Sequence, residues 1–171
     1  MSDSINAGLG NNTVNGGAGD DSISAGSGND ALTGGDGNDS INAGEGTNTL
    51  DGGIGNDTLN AGSGSDNILG GVGNDSINAG GGADTVNAGD GDDTIQVDTQ
   101  FVSVIGGLGT DTLFLSGDVG RTINLATAGI ERVQQGSEGA DTFNGVAMAV
   151  ALIISGNGGD DILTGGARVT P

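Results

Sequence analysis

The chain has 171 residues, and 23 acidic side chains against three arginines give it a formal net charge of −20. Such an excess of negative charge opposes a compact state unless cations bind, and it argues against nucleic acid as a partner. The absence of lysine excludes a phosphate-binding loop of the Walker type, and the absence of cysteine excludes disulfides and thiolate zinc sites. No apolar run reaches the ~20 residues of a membrane span, so none is predicted.

A nine-residue unit with the pattern Gly-x-Gly-x-Asp-x-(Ile/Leu/Val) begins near the N-terminus and recurs to about residue 113, as in GGIGNDTLN at 52–60. Its large aliphatic residue is flanked by Ser, Thr or Asn, which predicts a three-residue strand whose middle side chain points inward. Turns of six residues, rich in Gly, Asn and Asp, separate the strands. The predicted inward residues are Ile5, Val14, Ile23, Leu32, Ile41, Leu50, Leu59, Ile68, Ile77, Val86, Ile95, Val104 and Leu113.

Alternate units differ, which sets the true period at eighteen residues. The strand at 22–24 is followed by Ala-Gly, whereas the next strand is followed by Gly-Gly at 34–35, and this alternation persists along the repeat. A single unit cannot bury its one apolar side chain alone, so copies must stack. The sequence therefore predicts an all-β solenoid with two strands and two turns in each eighteen-residue coil.

Each turn supplies oxygen ligands for a hard cation. The motif carboxylate lies among several glycine carbonyls, and calcium takes about six to eight oxygen ligands of these two kinds. Stacking alone leaves the folding free energy near zero or unfavourable, because ordering the backbone costs more than one aliphatic side chain per unit returns. We therefore expect folding that depends on calcium.

The pattern weakens towards the C-terminus. The turn at 97–102 has lost both glycines and the aspartate, although one regular unit follows at 106–114. Beyond it, a segment of longer alternating strands is predicted to form a C-terminal β cap or a connection. Degenerate copies of the repeat around Asp141 and Asp161 either continue the first roll or start a second one. The predicted divisions are 2–113, 114–135 and 136–171.

The repeat resembles the repeats-in-toxin (RTX) family, whose consensus is GGxGxDxUx with U a large aliphatic residue. The resemblance is close over residues 2–113, with about a dozen consecutive copies, and looser over 136–166. It implies a right-handed parallel β-roll in which motif aspartates and backbone carbonyls hold calcium ions between the turns of successive coils. It also implies export through a one-step bacterial secretion channel, and hence a secreted or cell-surface location.

Carried over to this chain, the motif predicts two columns of metal-binding residues. The first column has an aspartate in every coil, with Asp3 extending it at the N-terminus: Asp21, Asp39, Asp57, Asp75, Asp93 and Asp111. The second column is mixed: Asn12, Asp30, Asn48, Asp66, Asp84 and Val102. An amide can ligate calcium but brings no charge, and valine cannot ligate it. We expect about five ions in the first column and fewer or weaker ones in the second, where only Asp66 and Asp84 are successive carboxylates.

Turn glycines are predicted to present their carbonyl oxygens to the same ions. These residues are Gly17, Gly19, Gly35, Gly37, Gly53, Gly55, Gly71, Gly73, Gly89, Gly91, Gly107 and Gly109. Asp141 and Asp161 are predicted to bind metal in the C-terminal copies. For a single aspartate, a turn residue that caps its own backbone is the simpler interpretation, but the register along a column favours a ligand.

Catalysis has little support, because the chain has no histidine, cysteine, lysine or tyrosine to act as nucleophile or base. We predict no enzyme, but a calcium-binding module that serves as folding switch and rigid spacer in a secreted or cell-surface bacterial protein. If it is part of a larger protein, its partners are secretion machinery or a surface ligand. The alternative function is binding to ice or polysaccharide through outward ladders that include Ser22, Ser24, Ser40 and Asn42.

Overall fold

The computed structural model describes residues 1–98, 100, 103–116, 122–124, 129–135, 142–144, 153–155 and 162–164. These residues form eighteen β-strands and no helix, so the predicted all-β class is confirmed. No helix among them is long and apolar enough to cross a membrane. Strands that follow one another along the chain lie in different sheets, and paired strands run parallel.

The first sheet contains every odd-numbered strand in chain order, which is the arrangement of a solenoid. In the repeat block its register places each residue beside the residue eighteen positions later, as in Ile23 beside Ile41, except that Gly8 pairs with Ala25. Its nine strands are β1 Ser4–Gly8, β3 Ser22–Ala25, β5 Ser40–Asn42, β7 Thr58–Asn60, β9 Ser76–Asn78, β11 Thr94–Val97, β13 Thr112–Leu115, β15 Arg132–Gln135 and β17 Ile153–Ser155.

The second sheet contains six even-numbered strands: β2 Thr13–Ala18, β4 Ala31–Asp36, β6 Thr49–Ile54, β8 Asn67–Val72, β10 Thr85–Asp90 and β12 Ser103–Leu108. Its register is again eighteen residues, as in Leu32 beside Leu50, so the predicted coil of eighteen residues is confirmed. The expected strand length of three residues is wrong in this sheet. Each of its strands has six residues, because the Gly-Gly pair, which is Ala88-Gly89 in β10, and the residue after it continue the pairing, as in Gly17 beside Gly35.

The predicted inward side chains form the core. Those from Ile23 to Leu113 are buried, whereas Ile5 and Val14, in the first coil, are half-buried. The alanine that follows alternate strands adds to the same core, as Ala43, Ala61 and Ala79 do. Residues on either side of each core position are more exposed, which fits side chains that alternate between the two faces of a strand.

The register changes beyond the repeat block. Thr112 pairs with Arg132 and Arg132 with Ile153, which are offsets of 20 and 21 residues. The second sheet ends at β12, and β14 Thr122–Asn124, β16 Thr142–Asn144 and β18 Ile162–Thr164 form a separate three-stranded sheet. The first sheet therefore runs through all three predicted divisions of the chain, whose boundaries stay a prediction.

Candidate metal centre

The motif aspartates are buried, although aspartate is among the residues that almost never lose all contact with water unless they are paired. In the first column the exposed fraction is 3% for Asp21 and falls to 0% for Asp111. In the second column Asp30, Asn48, Asp66 and Asp84 are equally buried. Both columns run beside the core, so each coil contributes up to two carboxylates to a poorly solvated environment.

One carboxylate oxygen of each aspartate is held by the preceding coil. Asp39 Oδ1 accepts the backbone N–H of Asp21 at 2.7 Å, and Asp57 Oδ1 accepts that of Asp39 at 2.7 Å. The second column repeats the arrangement, since Asp84 Oδ1 accepts the N–H of Asp66 at 2.9 Å. The motif aspartates therefore bridge coils, which a residue that caps only its own turn would not do. Asp3 joins the first column in the same way, because its N–H donates to Asp21 Oδ1 at 2.6 Å.

The other carboxylate oxygen has no hydrogen-bond partner. It is buried and unpaired in Asp21, Asp30, Asp39, Asp57, Asp66, Asp75, Asp84, Asp93 and Asp111. Beside Asp57, a Cβ added at Gly52 would lie 2.5 Å from Asp57 Oδ2 and 2.5 Å from Gly70 O. Two oxygens that carry no hydrogen thus converge on one side of this glycine, and a cation or a proton would relieve their repulsion.

The twelve glycines whose carbonyl oxygens are predicted to bind the ions all have positive φ, from 102° at Gly17 to 140° at Gly91. A Cβ added at Gly35 would overlap with the carbonyl oxygen of Gly17, so these carbonyls lie between successive turns. Among the described residues, no hydrogen bond reaches the carbonyl oxygens of Gly19, Gly37, Gly55, Gly73 and Gly91. These oxygens are therefore available to a cation, and their role as ligands stays a prediction.

Electrostatics along the columns favour neutralisation. Burial raises the pKa of Asp75 to about 7, and its backbone hydrogen bond lowers that pKa less than burial raises it. Burial likewise raises the pKa of Asp66 and of Asp111 to about 6. The same cause raises the pKa of Asp39, Asp57, Asp84 and Asp93. Neighbouring carboxylates add to each of these shifts, so the columns attract either protons or metal ions.

In the second column, both the oxygen and the nitrogen of the Asn48 amide have hydrogen-bond partners. Asn48 Oδ1 accepts the N–H of Asp30 at 2.9 Å, as a motif aspartate would, and its Nδ2 donates to Ala61 O at 3.3 Å. The amide thus occupies the place of a carboxylate and brings a hydrogen to a neighbouring carbonyl. Asn48 needs no cation, which supports the expected asymmetry between the columns. Val102 lies outside the described residues, as do Asp141 and Asp161.

Sequence reasoning missed an outer ladder, formed by the residue before the motif aspartate. Asp20 Oδ1 accepts the N–H of Asn38 at 2.9 Å, and Asn38 Oδ1 accepts that of Asn56 at 2.7 Å. The ladder continues through Asn74 and Asp92. Here each side chain binds the following coil, whereas each motif aspartate binds the preceding one. The recurrence of Asn or Asp at this position was the available signal.

The oxygen-rich setting fits calcium. Within the part of the chain that the structure describes, no three Asp, Glu, His or Cys side chains form a cluster that could hold a metal. An ion between two coils would therefore take two carboxylates and complete its shell with carbonyl oxygens, which suits a hard cation with many oxygen ligands. The buried, unpaired Oδ2 atoms are the feature that such an ion would satisfy.

Comparison with known protein families gives a match to the RTX calcium-binding nonapeptide repeat (4 copies). The matched residues are 1–32, 24–59, 60–95, 87–119 and 153–167. No curated protein and no solved structure matches the chain significantly.

Proposed function

Since the chain belongs to the family of RTX calcium-binding nonapeptide repeat proteins, we propose that its aspartate columns bind a ladder of calcium ions on which folding depends. The observation that carries the proposal is the row of buried Oδ2 atoms without hydrogen-bond partners. The six aspartates from Asp21 to Asp111 make five successive pairs, so five ions would occupy the first column. In the second column, Asp66 and Asp84 would hold one.

The ions would act as a folding switch. The net charge of −20 and the paired burial of carboxylates both oppose folding in a calcium-poor medium such as a cytosol. Calcium would offset both costs, and each ion would join two coils, so that binding should be cooperative along the stack. A chain of this kind would stay unfolded for passage through secretion machinery and fold outside the bacterial cell.

The folded roll would serve as a noncatalytic, rigid spacer in a secreted or cell-surface protein. Its first sheet alone has nine strands, which at about 4.8 Å each makes a stack roughly 40 Å long.

The alternative, binding to ice or polysaccharide, gains no support from the comparisons. Its outward ladder of Ser4, Ser22 and Ser40 is in register and exposed, as small polar residues of any stacked strand would be.

Small-angle X-ray scattering tests the switch and the spacer together. In chelator, a chain of 171 residues should have a radius of gyration of roughly 44 Å, and calcium should reduce it to below about 20 Å. Magnesium at equal ionic strength is the control, because it keeps its water shell more firmly and fits a cage of protein oxygens poorly. A radius that does not change with calcium would contradict the proposal.

A further inference from the structure

Glu131 continues the first aspartate column beyond the repeat block. Thr112 pairs with Arg132, so the residues before them, Asp111 and Glu131, are neighbours in adjacent coils. Glu131 Oε2 accepts the backbone N–H of Asp111 at 2.8 Å. Asp111 Oδ1 accepts the N–H of Asp93 in the same way, at 2.9 Å. A glutamate thus takes the structural place of the next motif aspartate, although residue 131 lies outside the ranges that match the family.

The geometry that surrounds each earlier aspartate recurs at this end of the column. Asp111 is fully buried, and its Oδ2 has no hydrogen-bond partner. A Cβ added at Gly106 would overlap with both Asp111 Oδ2 and Gly129 O. Asp57 Oδ2 and Gly70 O converge in the same manner on Gly52, three coils earlier along the chain. The last coil therefore offers the same unsatisfied carboxylate oxygen and the same neighbouring carbonyl.

The offset between the two acidic residues explains why glutamate stands here. Successive motif aspartates are eighteen residues apart, whereas Asp111 and Glu131 are separated by twenty. The longer side chain lets a carboxylate reach the Asp111 N–H from a backbone that has left the eighteen-residue register. Arg132, the adjacent cation, is exposed, whereas Glu131 is half-buried.

We propose that Glu131 is a calcium ligand, and that together with Asp111 it holds a sixth ion that ends the first column. This inference rests on the proposed calcium ladder, and it goes beyond the ladder by adding a site and a ligand that the repeat motif does not contain. The ion would join the last regular coil to the segment at 129–135, across the change in register.

The test is a count of bound calcium by native mass spectrometry for the wild type, Glu131→Gln and Glu45→Gln. Glutamine keeps an acceptor oxygen for the Asp111 N–H but removes the charge, so folding should be retained. Glu45 is an exposed turn residue, so Glu45→Gln is the matched control. We expect Glu131→Gln to bind one ion fewer than the wild type and Glu45→Gln to bind the same number. Equal counts for all three proteins would overturn the inference, whereas a wild type that binds no calcium would instead overturn the proposed function.

A second measurement keeps Glu131 in place, so it does not depend on whether a variant at that position folds. The chain has only three glutamates, Glu45, Glu131 and Glu138, so ¹³C labelling of the side-chain carboxyl gives three resonances. Glu45→Gln and Glu138→Gln assign two of them and leave the third to Glu131. Exchange of calcium for strontium in the folded protein should shift the Glu131 resonance and leave that of Glu45 in place. A Glu131 resonance that does not respond to the identity of the ion would overturn the inference.

Discussion

Asp57→Asn is expected to change the stability of the roll in opposite directions with and without calcium. Asp57 belongs to two successive pairs, with Asp39 and with Asp75, so the loss of its charge weakens two calcium sites. In chelator the same change removes a buried, unpaired oxygen and places an amide N–H near Gly70 O. Asn48 makes the corresponding hydrogen bond to Ala61 O in the second column.

The calcium concentration at the folding midpoint should rise about tenfold or more for Asp57→Asn, since each tenfold change is about 1.4 kcal/mol. Without calcium, the variant should be more stable than the wild type by about 1–3 kcal/mol, the cost of a buried polar atom that lacks a partner. Circular dichroism can measure both the calcium midpoint and the stability without calcium. For the second measurement, trimethylamine N-oxide is added to induce folding in chelator. Asp36→Asn, which removes an equal charge from the exposed end of strand β4, should leave both quantities nearly unchanged. Destabilisation in both media would show that the carboxylate itself supports the fold.

Acid is expected to replace calcium in part. Burial raises the pKa of Asp75 to about 7 and those of Asp66 and Asp111 to about 6, while aspartates of an unfolded chain have a pKa of about 3.9. The folded roll therefore binds protons more tightly than the unfolded chain, so its stability in chelator should rise as the pH falls. The gain should begin as the pH falls below about 7 and be complete near pH 4.

Circular dichroism of the chain in chelator, recorded from pH 7 to pH 4, checks this expectation, and sedimentation establishes that the chain stays monomeric. With calcium present the sign reverses, because protons compete with the ions for the same carboxylates and raise the calcium midpoint. Sodium chloride at pH 7 is the control, since it screens exposed charges but does not protonate buried ones. If sodium chloride alone induced folding, then the net charge of the chain, and not the aspartate columns, would be what opposes folding in chelator.

The sequence was sufficient to predict the architecture because the repeat encodes it at every level. One aliphatic residue in nine, such as Ile41 or Leu50, can be buried only if coils stack, and the alternation of Ala-Gly and Gly-Gly indicates two strands per coil. The glycines predicted to line the turns lie where a Cβ would meet the neighbouring coil, as at Gly35. Stacking therefore determines both the spacing of the core residues and the places where only glycine fits.

The details that escaped prediction depend on pairings between coils, which no single unit reveals. The six-residue strands of the second sheet form because Gly17 and Ala18 pair with the next coil, whereas glycine in isolation indicates a turn. The outer ladder through Asn38 required knowing that this side chain faces the following coil. Glu131 was missed because its offset of twenty residues departs from the period on which the columns were built.

A calcium titration followed by far-ultraviolet circular dichroism, with magnesium as the comparison, determines whether the chain needs calcium to fold. The buried carboxylates predict a coil-like spectrum in chelator at pH 7 and a cooperative change to a β spectrum as calcium, but not magnesium, is added. A chain that is fully β-folded in excess chelator at pH 7 would contradict calcium-dependent folding, because stacking would then suffice without any ion.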